Sequence, residues 1–141
     1  MRYRVVAVGR VKDAALRAAC DAYLGRLRHY THLEEREVKD EARILEAIPE
    51  DSRLVALERA GDQWTSEELA DRTARWELEG RDVVFAIGGA DGLPEAALQT
   101  AERRWSLSRL TFPHELARVL LYEQLYRAYT IRRGEPYHHG P

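Results

Sequence analysis

The chain has 141 residues, a mass of 16.3 kDa and 45% hydrophobic residues, which suits one domain with a real core. Charged residues make up 33% and the net charge is -2, which excludes a disordered tail and a protein coated with positive charge for DNA. The apolar runs are too short for a membrane span, the N-terminus lacks a signal-peptide pattern, and one cysteine, Cys20, excludes an intrachain disulfide. We therefore expect a cytoplasmic protein with no membrane partner and no metal.

Hydrophobic spacing predicts strands and helices in alternation along the chain. The predicted strands cover residues 3–9, 32–38, 53–58, 82–87 and 106–111. The predicted helices cover residues 12–29, 40–48, 65–79, 94–104 and 115–133. We expect Asp40 to cap the second helix, Thr65 and Glu68 to form a capping box for the third, and Gly80 to end it. This order predicts an α/β fold, a mostly parallel sheet flanked by helices on both faces, in one domain over residues 1–141.

Two features depart from an ordinary nucleotide-binding α/β fold. The last predicted helix is apolar nearly all round, which indicates that a partner subunit covers one of its sides. The first strand ends in Gly9 and Arg10 without the G-x-G-x-x-G spacing of a dinucleotide site, and the glycine-rich loop 88–92 follows the fourth strand instead.

Three segments could carry function, and each also has a plain structural interpretation. The loop 88–92 could bring its backbone against a ligand, or it could be only a tight turn. The segment 107–114 could line the same crevice or form an ordinary edge strand. The tail 132–139 combines arginine, tyrosine and histidine, which suits contact with phosphates and an unpaired base, but it could also be a solvated terminus. Residues 101–141 hold seven arginines against four glutamates, so an anionic partner or a chance fluctuation would explain the local charge.

Five motifs in order resemble the RlmH family of the SPOUT superfamily, which are bacterial pseudouridine N3-methyltransferases of large-subunit ribosomal RNA. The motifs are Ala-Ile-Gly-Gly-Ala-Asp-Gly at 86–92, Leu-Ser-Arg-Leu-Thr-Phe-Pro-His at 107–114, Arg-Val at 118–119, Glu-Gln-Leu-Tyr-Arg-Ala at 123–128 and Gly-Glu-Pro-Tyr-His at 134–138. The resemblance covers essentially the whole chain. This chain departs from the family pattern in two places. The stretch around 38–42 is shorter, and Gly61-Asp62 stands where the family often has Gly-Lys.

The resemblance implies a fold that no rule of ordinary topology would predict, with a deep trefoil knot at the C-terminal end. It also implies a homodimer, S-adenosylmethionine as the cofactor, and a pseudouridine of 23S rRNA in assembled ribosomes as the substrate. The positions that match the family's cofactor residues are Leu57, Gly88, Leu107, Ser108, Arg109, Leu110, Thr111 and Phe112.

Methyl transfer to N3 requires that N3 lose its proton and face the methyl carbon in line. The candidates for this work that match family motifs are Arg127, Tyr137 and His138. His138 could act as the base, Arg127 could hold a phosphate or stabilise negative charge, and Tyr137 could stack or donate a hydrogen bond. The alternatives are a SPOUT enzyme for another RNA, such as tRNA, and a catalytically silent factor that binds the ribosome.

Overall fold

A computed structural model describes residues 1–139, so the last two residues of the predicted domain, 140 and 141, lie outside the described part. Five strands and four helices alternate along it, with two short 3₁₀ turns after the second strand. The strands are β1 Tyr3–Val8, β2 Leu33–Val38, β3 Arg53–Gln63, β4 Val83–Ile87 and β5 Arg103–Ser106. The helices are α1 Ala14–Leu27, α2 Ser66–Glu79, α3 Glu95–Thr100 and α4 His114–Arg132.

The five strands form one sheet in the order β2-β1-β4-β3-β5, and all four neighbouring pairs are parallel. The predicted α/β fold with a mostly parallel sheet is therefore confirmed, and the charged strand β2 lies at one edge of the sheet. In a parallel sheet the carboxyl ends of all strands point to one side, which is where such folds bind ligands. The trefoil knot stays a prediction.

The two faces of the sheet are covered unequally. Helices α1, α2 and α4 share one face, where the larger core gathers around Tyr3, Phe85 and Trp105. The other face carries a smaller core, built on Val6, Val84 and residues of the 3₁₀ turns and the α3 flanks. Helix α4 packs against both α1 and α2. The sheet and these two helices therefore bury most of the apolar surface that indicated a partner subunit.

Four predicted elements differ in the structure, and two of them were predicted as helices. The segment 40–48 forms the 3₁₀ turns Glu41–Arg43 and Leu45–Ala47 instead of a helix, and the Asp40 side chain makes no capping hydrogen bond. The helix that begins after Pro94 ends at Thr100, because the chain already enters β5 at Arg103.

The predicted strand 106–111 is wrong, since residues 107–113 form a loop. The hydroxyl of Ser108 accepts a hydrogen bond from the Leu110 amide at 3.0 Å, which turns the chain, and Leu110 is 70% exposed.

Strand β3 is longer than predicted because it bulges opposite β5. Both Leu57 and Asp62 pair with Trp105, so the pairing register shifts across residues 58–61, which form a bulge. Gly61 lies so close to β5 that an added Cβ would sit 2.5 Å from the Arg104 carbonyl oxygen. The Thr65 hydroxyl accepts from the Glu68 amide at 3.0 Å, which is one of the two hydrogen bonds of the predicted capping box, and Gly80 ends α2 at φ +77° as predicted.

Helix α4 is held at its two ends by buried polar groups. Near its start, Arg118 is 1% exposed and donates to Glu37 at 2.5 Å, to Glu35 at 3.2 Å and to the Gly9 carbonyl at 2.9 Å. Tyr122 also donates to Glu35 at 2.6 Å. Burial alone would raise the pKa of Glu35, but the hydrogen bonds from Tyr122, Arg17 and Arg118 outweigh it and lower that pKa.

Near the end of α4, the Tyr129 hydroxyl lies 2.9 Å from that of Tyr3 and 2.5 Å from a Glu77 carboxylate oxygen. Arg132 donates to the other oxygen of Glu77 at 2.8 Å. Helix α4 is thereby tied to β1 and to α2, which fixes its position over the sheet. None of the helices within residues 1–139 is both long and apolar enough to cross a membrane.

Candidate functional site

A cavity of about 880 Å³ opens at the carboxyl ends of the strands. Its walls come from β3, from the loop after β4, from the loop after β5 and from the first turn of α4. The lining residues are 57–59, 87–93, 105, 107–108, 110–114 and 117. Its size falls in the range of small-molecule sites, and its position matches the ligand sites of open parallel sheets.

Seven of the eight predicted cofactor residues line this cavity. They are Leu57, Gly88, Leu107, Ser108, Leu110, Thr111 and Phe112. The eighth, Arg109, lines a neighbouring depression of about 390 Å³ together with Arg59 and Ala60. The folding of the chain therefore brings together three segments that are far apart in sequence.

The glycine-rich loop is closed on itself. The Gly92 amide donates to the Gly89 carbonyl at 3.0 Å, and Gly92 adopts φ +76°. A Cβ on Gly88 would lie 2.6 Å from the Gly92 carbonyl oxygen and 2.7 Å from the Leu93 nitrogen. Gly88 is therefore required by the loop's own backbone, in addition to any close approach of a ligand.

The loop 107–113 forms the opposite wall. Leu107 and Phe112 are half-buried, whereas Leu110 leaves most of its side chain open to solvent at the rim. The guanidinium of Arg59 donates to the Thr111 hydroxyl at 3.0 Å, so this loop is tied to the bulge of β3.

The three predicted catalytic residues meet at the other end of α4. Arg127 forms an ion pair with Glu123 at 2.7 Å and stacks over the Tyr137 ring at 4.8 Å. The Tyr137 hydroxyl donates to Glu123 at 2.7 Å, and its ring packs edge-on against Tyr126. His138 Nδ1 lies 3.0 Å from Arg127 Nη1. The tail thus folds back onto the helix and forms a cluster of Glu123, Arg127, Tyr137 and His138, called here the tail cluster.

The contacts define what each group in the tail cluster can do. Burial and the hydrogen bond to Glu123 raise the pKa of Tyr137, so the phenol stays protonated and serves as a donor. A guanidinium can only donate, so His138 Nδ1 accepts from Arg127 and the ring proton resides on Nε2. That Nε2 lies 3.3 Å from a Glu67 carboxylate oxygen without the alignment of a hydrogen bond.

Within one chain the tail cluster and the cavity are apart. Ala117 lines the cavity and Arg127 follows ten residues later on the same helix, which corresponds to about 15 Å at the helical rise. The structure therefore unites the predicted cofactor residues in one place and the predicted catalytic residues in another.

Sequence reasoning missed three lining residues with functional side chains, which are Glu58, Arg59 and Trp105. His114 also lines the cavity, and it belongs to the segment 107–114 that could line the crevice by sequence. Trp105 is also a packing residue, whose ring is stacked on that of Trp64 at a centroid distance of 4.8 Å. Glu58 and Arg59 gave no signal because the bulge that turns them toward the cavity depends on pairing with β5. Within residues 1–139 no group of three or more His, Cys, Asp or Glu side chains is placed to hold a metal ion.

The chain is similar to a family described as "Predicted SPOUT methyltransferase", whose profile matches residues 1–138. A protein of Sorangium cellulosum named "Ribosomal RNA large subunit methyltransferase H" is 50% identical, over 99% of this chain and 100% of that protein. A protein of the same name from Anaeromyxobacter sp. (strain Fw109-5) is 45% identical, over 98% of this chain and 99% of that one.

Two solved structures share the fold. A methylase family protein from Haemophilus influenzae Rd KW20 aligns with a TM-score of 0.62 at 12% identity, over 98% of this chain and 70% of that one. A methyltransferase from Legionella pneumophila, solved with bound SAM, aligns with a TM-score of 0.51 at 11% identity, over 91% of this chain and 66% of that one.

Proposed function

The chain belongs to the SPOUT methyltransferase family, and from that premise we propose that it methylates N3 of a pseudouridine in 23S rRNA on assembled ribosomes in the cytoplasm. The observation that carries the proposal is the single cavity that gathers seven of the eight residues matching the family's cofactor motifs. The rRNA substrate is supported by the names of relatives that match this chain over nearly its whole length. We also propose that residues 1–141 form one domain and that the knot lies in its C-terminal part.

The cavity fits S-adenosylmethionine in size and in the character of its walls. Backbone of the loops 88–92 and 107–112 forms much of the lining and offers amide and carbonyl groups, while Leu57, Leu107 and Phe112 supply apolar walls for a flat ring. The cofactor supplies an electrophilic methyl group on a positively charged sulfur. The chain's part is to hold that methyl group in line with N3, to exclude water and to accommodate the N3 proton.

The cavity and the tail cluster lie about 15 Å apart within one chain, so a second copy of the chain is needed to bring a tail cluster next to a cavity. We propose a twofold dimer in which the tail cluster of one protomer lies over the cavity of the other. The half-buried Leu116 and Leu120 of α4 and the exposed Leu110 at the rim supply apolar surface for such an interface.

In this arrangement each member of the tail cluster has a defined task. Arg127 is held by Glu123 and presents positive charge to a phosphate or to the base as N3 loses its proton. Tyr137 stacks or donates a hydrogen bond, because its phenol stays protonated. His138 can take the proton only after Nδ1 leaves Arg127, so we propose that substrate binding separates that pair.

The test is mass spectrometry of rRNA digests from a strain that lacks the gene, compared with the same strain carrying it. The proposal predicts the loss of one methylated pseudouridine from 23S rRNA and its return on complementation. An unchanged 23S rRNA with a lost methyl group in tRNA would refute the substrate and favour the other RNA target. A complete set of methylated nucleotides in both RNAs would favour the silent factor.

A further inference from the structure

The depression beside the cavity has its own chemistry. It is lined by Arg59, Ala60 and Arg109, encloses about 390 Å³ and shares Arg59 with the cofactor cavity. Both arginines are exposed. One comes from the bulge of β3 and the other from the loop after β5, and the hydrogen bond from Arg59 to Thr111 joins these two segments. Two cations are thereby brought to one hollow by separate parts of the chain.

Neither guanidinium has a carboxylate partner within 4.0 Å among residues 1–139. Other arginines of the chain are neutralised this way, such as Arg118 by Glu35 and Glu37 and Arg127 by Glu123. The positive charge of the hollow is therefore open to an external anion, in a chain whose overall net charge is -2.

Arg109 belongs to a cofactor segment but differs from its neighbours. Leu107, Ser108 and Leu110 line the cavity, whereas Arg109 lines only the adjoining depression. One short loop thus has two faces, of which one borders the cofactor cavity and the other carries a cation. A group bound to Arg109 would lie beside the cavity without entering it.

We propose that the hollow formed by Arg59 and Arg109 binds a backbone phosphate of the RNA substrate next to the nucleotide that is methylated. A base that reaches a buried methyl donor must leave its stack, and its phosphates then stay at the rim of the cavity. Guanidinium groups match phosphate oxygens through paired hydrogen bonds. This inference rests on the proposed function, because the occupant is the RNA that the enzyme methylates.

The test compares Arg109→Ala with the wild type on purified bacterial 70S ribosomes. The matched control is Arg36→Ala, since Arg36 is an exposed arginine on β2 at the opposite edge of the sheet. We expect KM for ribosomes to rise about tenfold in Arg109→Ala, with little change in kcat or in the affinity for S-adenosylmethionine. The slope of the logarithm of the ribosome-binding constant against the logarithm of salt concentration should become shallower by about one in Arg109→Ala. The double variant Arg59→Ala/Arg109→Ala should make this slope shallower still. Arg36→Ala should behave as the wild type.

Two results would overturn the inference. One is unchanged KM and unchanged salt dependence in Arg109→Ala, and the other is an equal loss in Arg36→Ala, which would indicate a general charge effect. Ribosome binding is measured without turnover, so it tests the hollow even if the wild type methylates no rRNA. A wild type that binds ribosomes but methylates no rRNA would refute the proposed function alone. A wild type that methylates rRNA, together with an Arg109→Ala variant whose KM and ribosome binding are unchanged, would refute only the phosphate site.

Discussion

Replacement of the buried Arg118 by methionine should destabilise the protein by about 3 kcal/mol. Methionine keeps an unbranched apolar stem but removes the hydrogen bonds to Glu35, Glu37 and the Gly9 carbonyl. Loss of one member of a buried ion pair costs about 3–5 kcal/mol, because the other charge stays behind. We take the low end because Glu35 keeps Arg17 and Tyr122 as partners and Glu37 is 35% exposed.

The effect should depend on pH in a defined direction. The folded protein holds the pKa of Glu35 below its usual value of about 4.3, so this carboxylate contributes stability above that value and loses it as the pH falls through the folded pKa. Without Arg118 the folded pKa should rise. The difference in stability between wild type and Arg118→Met should therefore be full at neutral pH and shrink in acid below about pH 4.

Urea unfolding followed by tryptophan fluorescence, at one fixed protein concentration, measures both effects. A loss of about 3 kcal/mol corresponds to a fall in Tm of about 10 °C for a chain of this size. The control is Arg36→Met, which removes an exposed arginine from the same strand as Glu35 and Glu37 and should change the free energy of unfolding by less than about 0.5 kcal/mol. A loss below about 1 kcal/mol for Arg118→Met, or one that is constant with pH, would refute this reasoning.

Three further predictions concern the cofactor, the assembly and the tail. Gly88→Val should weaken S-adenosylmethionine binding by at least about tenfold, because the side chain would collide with the Gly92 and Leu93 backbone; unchanged binding by calorimetry in a folded variant would contradict the placement of the site. Light scattering at low micromolar concentration should report a dimer, and a species near 16.3 kDa would argue against one. Deletion of residues 135–141 should leave the dimer and cofactor binding nearly intact while methylation of ribosomes falls at least about a hundredfold, and His138→Ala should reproduce much of that loss. Full activity of the truncated protein would remove Tyr137 and His138 from the site.

Most elements could be predicted because their signals are local. The capping residue Thr65, the glycine at 80 and the apolar run 82–87 each depend only on neighbouring residues, and the structure follows them closely. The errors occur where distant segments decide the outcome. The apolar residues within 106–111 indicate a strand, but β3 pairs with residues 103–106 instead. The chain then turns away at Ser108, whose hydroxyl accepts a hydrogen bond from the Leu110 amide.

The site divides in the same way. Leu57, Gly88 and all residues of the 107–112 segment except Arg109 line one cavity, as the order of the family motifs suggested, and their role toward the cofactor stays a prediction. The motifs do not encode the direction of each side chain, and Arg109, which matches a cofactor position of the family, borders the neighbouring hollow. The hydrogen bonds that keep Tyr137 protonated and occupy His138 Nδ1 also depend on how the tail folds back, which no spacing encodes.

The strand order has a consequence for how the chain folds. β1, α1 and β2 form one unit of neighbouring strands, and β3, α2 and β4 form another, so each can assemble from nearby residues. The two units join along β1 and β4, where the pairs run from Tyr3 with Val83 to Ala7 with Ile87, and this closure across about 80 residues makes that step slow. Helix α4 then lies across the join, with Tyr129 contacting Tyr3 of the first unit and Glu77 of the second. A Tyr129→Phe substitution should accordingly speed unfolding more than it slows folding, because this contact forms after the two units have met.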